Sequence, residues 1–118
     1  MKINLPNYFM AEHPVGAVLG RAKYSEYLFV YQGTAIGGSW KDGKLYYPEL
    51  GENIILYAGS SIIGKCRIGN DVIISANTCV KNQNVPSCSI VYGSTPNLII
   101  KRKSQDEIRE INRAWVWD

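Results

Sequence analysis

Residues 50–80 read Leu50-Gly51-Glu52-Asn53-Ile54-Ile55-Leu56-Tyr57-Ala58-Gly59-Ser60-Ser61-Ile62-Ile63-Gly64-Lys65-Cys66-Arg67-Ile68-Gly69-Asn70-Asp71-Val72-Ile73-Ile74-Ser75-Ala76-Asn77-Thr78-Cys79-Val80. Stepping by six from Leu50 gives Leu56, Ile62, Ile68, Ile74 and Val80, all aliphatic. With aliphatics near a quarter of an average chain, chance fills a fixed phase this way roughly once in several thousand trials. The second place of a hexad is glycine at Gly51 and Gly69, and the fifth is small or β-branched at Ile54, Ser60, Cys66, Val72 and Thr78. An α-helix carries every sixth residue well off one face, so this period is not helical. A short strand plus a corner takes six residues, and three such strands close one triangular turn of a solenoid. The aliphatic then points inward and stacks on its equivalent one turn away. The small fifth residue leaves room for that stack, and glycine tolerates the positive φ of a tight corner.

Working outward, Ile36 and Val30 are six apart with Gly37 after Ile36, and Leu19 and His13 are six apart with Gly20 after Leu19. The interval from Ile36 to Leu50 is too long for the repeat. It contains residues 38–44, Gly-Ser-Trp-Lys-Asp-Gly-Lys, which read as a loop expelled from the coil. After Val91, Tyr92-Gly93-Ser94-Thr95-Pro96 breaks the pattern, and Asn97 to Lys101 suits a last strand. Ser104-Gln105-Asp106-Glu107 has capping-box spacing, followed by Ile108, Ile111 and Trp115 at helical intervals. The expectation is an all-β parallel β-helix over 1–103 and a short helical tail over 104–118, with Trp115 and Trp117 packed on the last coil or on a neighbouring subunit.

The chain of 118 residues is 46% hydrophobic and 19% charged, ordinary for a folded domain. A net charge of +3 suits a small anionic ligand and is too weak to argue for nucleic acid. No apolar run approaches the ~20 residues of a membrane span, and residues 1–7 lack the apolar core of a signal peptide. A cytoplasmic protein is expected, with Cys66, Cys79 and Cys88 as free buried thiols.

Several blocks in order resemble the serine acetyltransferase family of hexapeptide-repeat proteins. Glu12-His13-Pro14-Val15-Gly16-Ala17-Val18-Leu19-Gly20 is similar to its D-H-x-x-G-x-V-I-G pattern. Val30-Tyr31-Gln32-Gly33-Thr34-Ala35-Ile36-Gly37-Gly38 is similar to its I-L-Q-x-V-T-L-G-G, and Tyr46-Tyr47-Pro48-Glu49-Leu50 stands where it has R-H-P-K-I. Gly93-Ser94-Thr95-Pro96-Asn97 resembles the closing G-x-P-A segment, so the likeness runs over residues 9–101. It implies a left-handed β-helix, a homotrimer, and a site in the groove between prisms where acetyl-CoA acetylates a hydroxyl.

By that resemblance His13, the one histidine of the chain, is the general base. Glu12 and Tyr47 fall to the acceptor. Gly37, Gly38, Ala58, Gly59, Ser75 and Ala76 fall to the pantetheine arm of CoA, laid along the prism like an added strand. Lys81 and Lys101, with Arg102 and Lys103, fall to its phosphates. No metal is implied, since the β-helix zinc enzymes use three histidines.

Two departures stand out. Tyr46-Tyr47 replaces the arginine and histidine of R-H-P. The aspartate that orients the family's base, about fifteen residues before it, and the family's N-terminal helical domain would both fall before Met1. They leave the acceptor open between serine, a sugar hydroxyl and an amine. A catalytically silent trimeric β-helix, serving as scaffold or binding protein, is the competing expectation.

Overall fold

The computed structural model describes residues 4–11 and 15–111. Its strands, in chain order, are β1 (Phe9–Ala11), β2 (Val18–Leu19), β3 (Leu28–Val30), β4 (Ala35–Gly37), β5 (Ser39–Lys41), β6 (Lys44–Tyr46) and β7 (Glu49–Leu50). They continue as β8 (Ile54–Leu56), β9 (Ser61–Ile63), β10 (Arg67–Ile68), β11 (Val72–Ile74), β12 (Cys79–Lys81), β13 (Ser89–Tyr92) and β14 (Ile99–Arg102). One helix, α1 (Gln105–Ile111), follows. The strands sort into three faces. The first runs β1-β3-β8-β11-β13-β14, the second β2-β4-β9-β12, and the third pairs β7 with β10, extended by bridges at Lys23 and Val85. Pairing along each prism face is parallel until β14, which returns antiparallel on β13. The result is a left-handed parallel β-helix of about four turns, with the short helix at its C-terminal end.

The hexad phase forms the core. Leu56, Ile62, Ile74 and Val80 are fully inaccessible, and Leu50 and Ile68 nearly so. The fifth-place residues Ile54, Ser60, Cys66, Val72 and Thr78 are buried as well. They cap the corners from inside. The hydroxyls of Thr34, Ser60 and Ser89 donate to the carbonyls three residues back (Tyr31 at 3.1 Å, Tyr57 at 2.7 Å, Pro86 at 2.8 Å). A buried hydroxyl without a partner is costly, and these have one.

The corners are tied from outside by side chains of the following coil. Asn70 Oδ1 accepts from the Glu52 amide at 2.8 Å, Asn82 Oδ1 from Lys65 at 2.8 Å, and Asn84 Oδ1 from Arg67 at 2.9 Å.

Gly51 and Gly69 serve a different purpose from the expected one. Neither has positive φ; the left-handed corners fall on Asn53, Gly59, Gly64, Asp71, Asn77 and Asn82 among others. Gly51 and Gly69 are glycine because coils touch there. A Cβ on Gly51 would lie 2.6 Å from the Gly69 carbonyl oxygen, and one on Gly69 would lie 2.5 Å from the Ser87 nitrogen.

The expelled loop is an ordered hairpin. Antiparallel β5 and β6 turn at Asp42 and Gly43 (φ 52° and 75°), the pair of left-handed residues that a tight two-residue turn requires. Ile54 pairs with Val72 eighteen positions on, whereas Leu28 pairs with Ile54 twenty-six positions on, so the hairpin is absorbed without loss of phase.

The tail follows its capping box. Ser104 Oγ accepts from the Glu107 amide at 3.1 Å, and Glu107 Oε1 accepts from the Ser104 amide at 3.3 Å. Ile108 is fully buried. Gln105 Nε2 donates to Asp71 Oδ2 at 3.0 Å, fixing the helix to the corner before β11. Trp115 and Trp117 lie outside the described residues.

Candidate functional site

His13 and Glu12, the expected base and acceptor ligand, lie outside the described residues. The positions around them are placed. Val15 and Gly16 begin the first corner of the second face, with the Val15 carbonyl accepting from the Gly33 amide at 3.0 Å. The same corner repeats one coil on at Gln32-Gly33, then at Ala58-Gly59, then at Ala76-Asn77. The Gly59 amide donates to Gln32 and the Asn77 amide to Ala58, at 3.0 and 2.9 Å. Ala58, Gly59, Ser75 and Ala76 therefore stack along one edge of the second face. Gly37, which ends β4, sits at the other edge, in register with Ile63 and, one coil further, with Lys81. Lys101 belongs to the first face, opposite Ile90, with its ammonium 5.6 Å from the Tyr92 ring centroid. The expected CoA residues thus divide between two corners and a neighbouring face.

Much of their backbone already joins coils. The Gly37 carbonyl accepts from Gly64 at 2.9 Å, the Ser75 amide donates to Val91 at 3.0 Å, and the Lys81 amide donates to Thr95 Oγ1 at 3.0 Å. Each carbonyl keeps a second lone pair. Gly38, Gly59 and Ala76 are exposed, so the corners present small, open surface to an extended ligand.

Tyr47 lies at the foot of the hairpin. A Cβ on Gly38 would meet its ring at 2.8 Å, so glycine at 38 is what lets the ring lie over the backbone. Arg21, from the first coil, sets its guanidinium carbon 4.6 Å from the Tyr47 ring centroid and its Nη1 donates to the phenol oxygen at 3.4 Å. Beside this pair opens a cleft of about 390 Å³ walled by Tyr46, Tyr47, Glu49, Lys65, Arg67 and Asn84, with Cys66 at its floor. Lys65, Arg67 and Arg21 were not singled out by sequence reasoning. The available signal was Cys66: once the thiol points inward, Lys65 and Arg67 on either side must point out together.

Cys66 itself is buried, its Sγ donating to the Ile63 carbonyl at 3.2 Å, and burial pushes the thiol's pKa up. A thiol held neutral is a poor nucleophile. Cys79 and Cys88 are only half-buried, contrary to the expectation of three core thiols.

No family model matches the chain. A serine acetyltransferase of Staphylococcus aureus is 35% identical over 99 residues, which are 83% of this chain and 44% of that protein. Among solved structures, the serine acetyltransferase of Neisseria gonorrhoeae superposes with a TM-score of 0.75 at 26% identity, covering 92% of this chain and 42% of the other. A serine acetyltransferase in complex with CoA superposes with a TM-score of 0.64 at 26% identity, over 79% of this chain and 37% of that one. The chain spans under half the length of these relatives, and what it shares with them is the coil.

Proposed function

We propose, from the premise that the chain belongs to the serine acetyltransferase-like family of left-handed β-helix proteins, that it is an acetyl-CoA-dependent O-acetyltransferase acting on a small hydroxyl compound such as serine or a sugar. The observation that carries this reading is the 35% likeness to a serine acetyltransferase across 83% of the chain. Acetyl-CoA would supply the activated acetyl group as a thioester. Its pantetheine arm would follow the small-residue edge at Gly37, Gly38, Ala58, Gly59, Ser75 and Ala76, with Lys81 and Lys101 toward its phosphates. The solved CoA complex of a relative supports that co-substrate.

His13 would take the proton from the acceptor hydroxyl as its oxygen forms the new ester bond. The same imidazole would return that proton to the departing thiolate, so that no net charge is left on the protein. Glu12 and Tyr47 would hold the acceptor: a carboxylate accepts from hydroxyl or ammonium, and a phenol donates or accepts. We assign the working protein to a homotrimer, with the crevice between prisms as its site, and to the cytoplasm, where acetyl-CoA is at hand and free thiols persist.

A thiol-release assay with acetyl-CoA against serine, amino sugars and sugar hydroxyls tests the activity. His13→Ala should lower turnover by roughly 10²–10⁴-fold. Near-normal turnover in that variant would remove His13 from the reaction. Replacement of the family's histidine by Tyr47 favours a second reading, a silent trimeric scaffold. No thiol release with any acceptor and no thermal shift with CoA would establish that one instead.

A further inference from the structure

The strand centres of the first face form one outward column. Met10, Phe29, Ile55, Ile73 and Ile90 stand in register from β1 to β13, and every one is apolar. Their chain neighbours, such as Leu28 and Val30 or Ile54 and Leu56, fill the prism. On the second face Ile62 and Val80 point inward, so the outward positions carry Ser61, Cys79 and Lys81 instead. Phe29, Ile55 and Ile73 are only 6%, 3% and 3% exposed. A side chain that points off a sheet is buried this far only under a second layer.

Among the described residues, two features contribute to that layer. Tyr31 and Tyr57 pack on Phe29 and Ile55 from the corner that follows β3 and β8. From the opposite corner comes α1. The Lys103 amide donates to the Cys88 carbonyl at 2.8 Å beside β13, and Gln105 then reaches Asp71 beside β11, one coil back. The chain is therefore heading toward the earlier coils, and buried Ile108 holds the helix against the prism. Seven helical residues rise ~10.5 Å, whereas the column crosses four coil steps, about 19 Å. Even laid along the axis, α1 is too short to cover it.

We infer that the column is the seat of the chain's own C-terminal segment, residues 112–118, with Trp115 and Trp117 laid over Ile55 and Phe29. The inference does not depend on the transferase reading. The segment brings Ala114, Trp115, Val116 and Trp117 in succession. Trp115 is seven residues after Ile108, which is two helical turns on the same side and ~10.5 Å further along. That rise matches the two coil steps, about 10 Å, from Ile73 to Phe29. Each indole brings a large apolar area to such a face. Attachment at Ile111 keeps the segment at high effective concentration beside its seat, which favours it over a second copy of the chain. A face covered in this way is closed to a neighbouring subunit.

Tryptophan fluorescence tests the seat. The third tryptophan, Trp40, is 69% exposed on the hairpin, so Trp40→Phe leaves only the two indoles of the segment to report. In that full-length variant, iodide should quench them at least ~3-fold less than in the same chain unfolded in urea. The protection should persist through ~100-fold dilution, because the seat is intramolecular. A second variant carries Ile55→Cys and Trp115→Cys, with Cys79 and Cys88 changed to serine. Mild oxidation should link its two new thiols within one chain, read as single-chain mass on a non-reducing gel. Indoles quenched as freely as in urea overturn the inference. So does protection lost on dilution, or a link that joins two chains, either of which gives the column to another copy. Protected indoles with no link of any kind place Trp115 elsewhere and overturn it as well.

Discussion

Asp71 is 5% exposed, and its carboxylate is held by amides from two directions. Asn53 Nδ2 donates to it at 2.7 Å and Gln105 Nε2 at 3.0 Å, with Arg109 Nε 4.0 Å away. It also adopts φ 57°, which a short acidic side chain tolerates. Asp71→Ala leaves both amides without that acceptor. Urea unfolding should register a loss of about 1–3 kcal/mol, with Asp71→Asn recovering part of it.

Two glycines make a sharper comparison. A Cβ on Gly69 would press on the Ser87 backbone, whereas one on Gly37 meets nothing within 4 Å. Gly69→Ala should cost about 1–3 kcal/mol, the range for forcing a packed region apart. Gly37→Ala should leave stability unchanged within about 0.5 kcal/mol, which frees it to report on CoA affinity alone.

A third residue titrates unusually. The Tyr24 phenol donates to the Gly20 carbonyl at 2.6 Å, and burial raises its pKa to about 12. A pKa raised on folding stabilises the protein fully below the ordinary value near 10 and loses that contribution as pH climbs toward 12. Phenolate absorbance should therefore show a late-ionising tyrosine that is absent in Tyr24→Phe.

At the scale of elements, the coils were legible because each inward position recurs in a fixed phase. From Leu50 to Val80 the hexad leaves no freedom in which residues face the axis. The tail was legible for a local reason, since Ser104 and Glu107 cap each other over three residues. The outer row of the first face was not. Phe29, Ile55 and Ile73 sit at strand centres, between neighbours that fill the core, yet all three are buried. Alternation predicts that such residues face out, and only tertiary cover can bury them. The Arg21–Tyr47 contact was hidden for the same reason: the two residues are twenty-six positions apart and meet only once coils stack.

The hairpin was read as a loop although Asp42-Gly43 is a turn signature. Replacing that pair with Ala-Ala removes the residues that accept positive φ. Amide exchange over 39–46 should then accelerate at least ~10-fold, with the main unfolding transition moving by no more than about 2 °C.

Taken whole, the molecule is a stack in which each coil contacts its neighbours, so its weak points are its ends. The C-terminal end is closed by β14, which turns antiparallel on β13, and by α1 with Ile108 inside. A chain ending at Gly93 would uncover the edge of β13, a ready template for pairing with another molecule. Sedimentation should show that truncated chain forming concentration-dependent higher assemblies beyond those of the full chain.

Nearest-neighbour contact has another consequence at the corner between β4 and β7. The strands on either side keep register across an interruption whose two ends leave and rejoin the prism close together. That corner is a natural graft point: a guest peptide spliced in place of residues 41–44 would be displayed clear of the core, while Gly38 and the tyrosine pair behind it stayed seated.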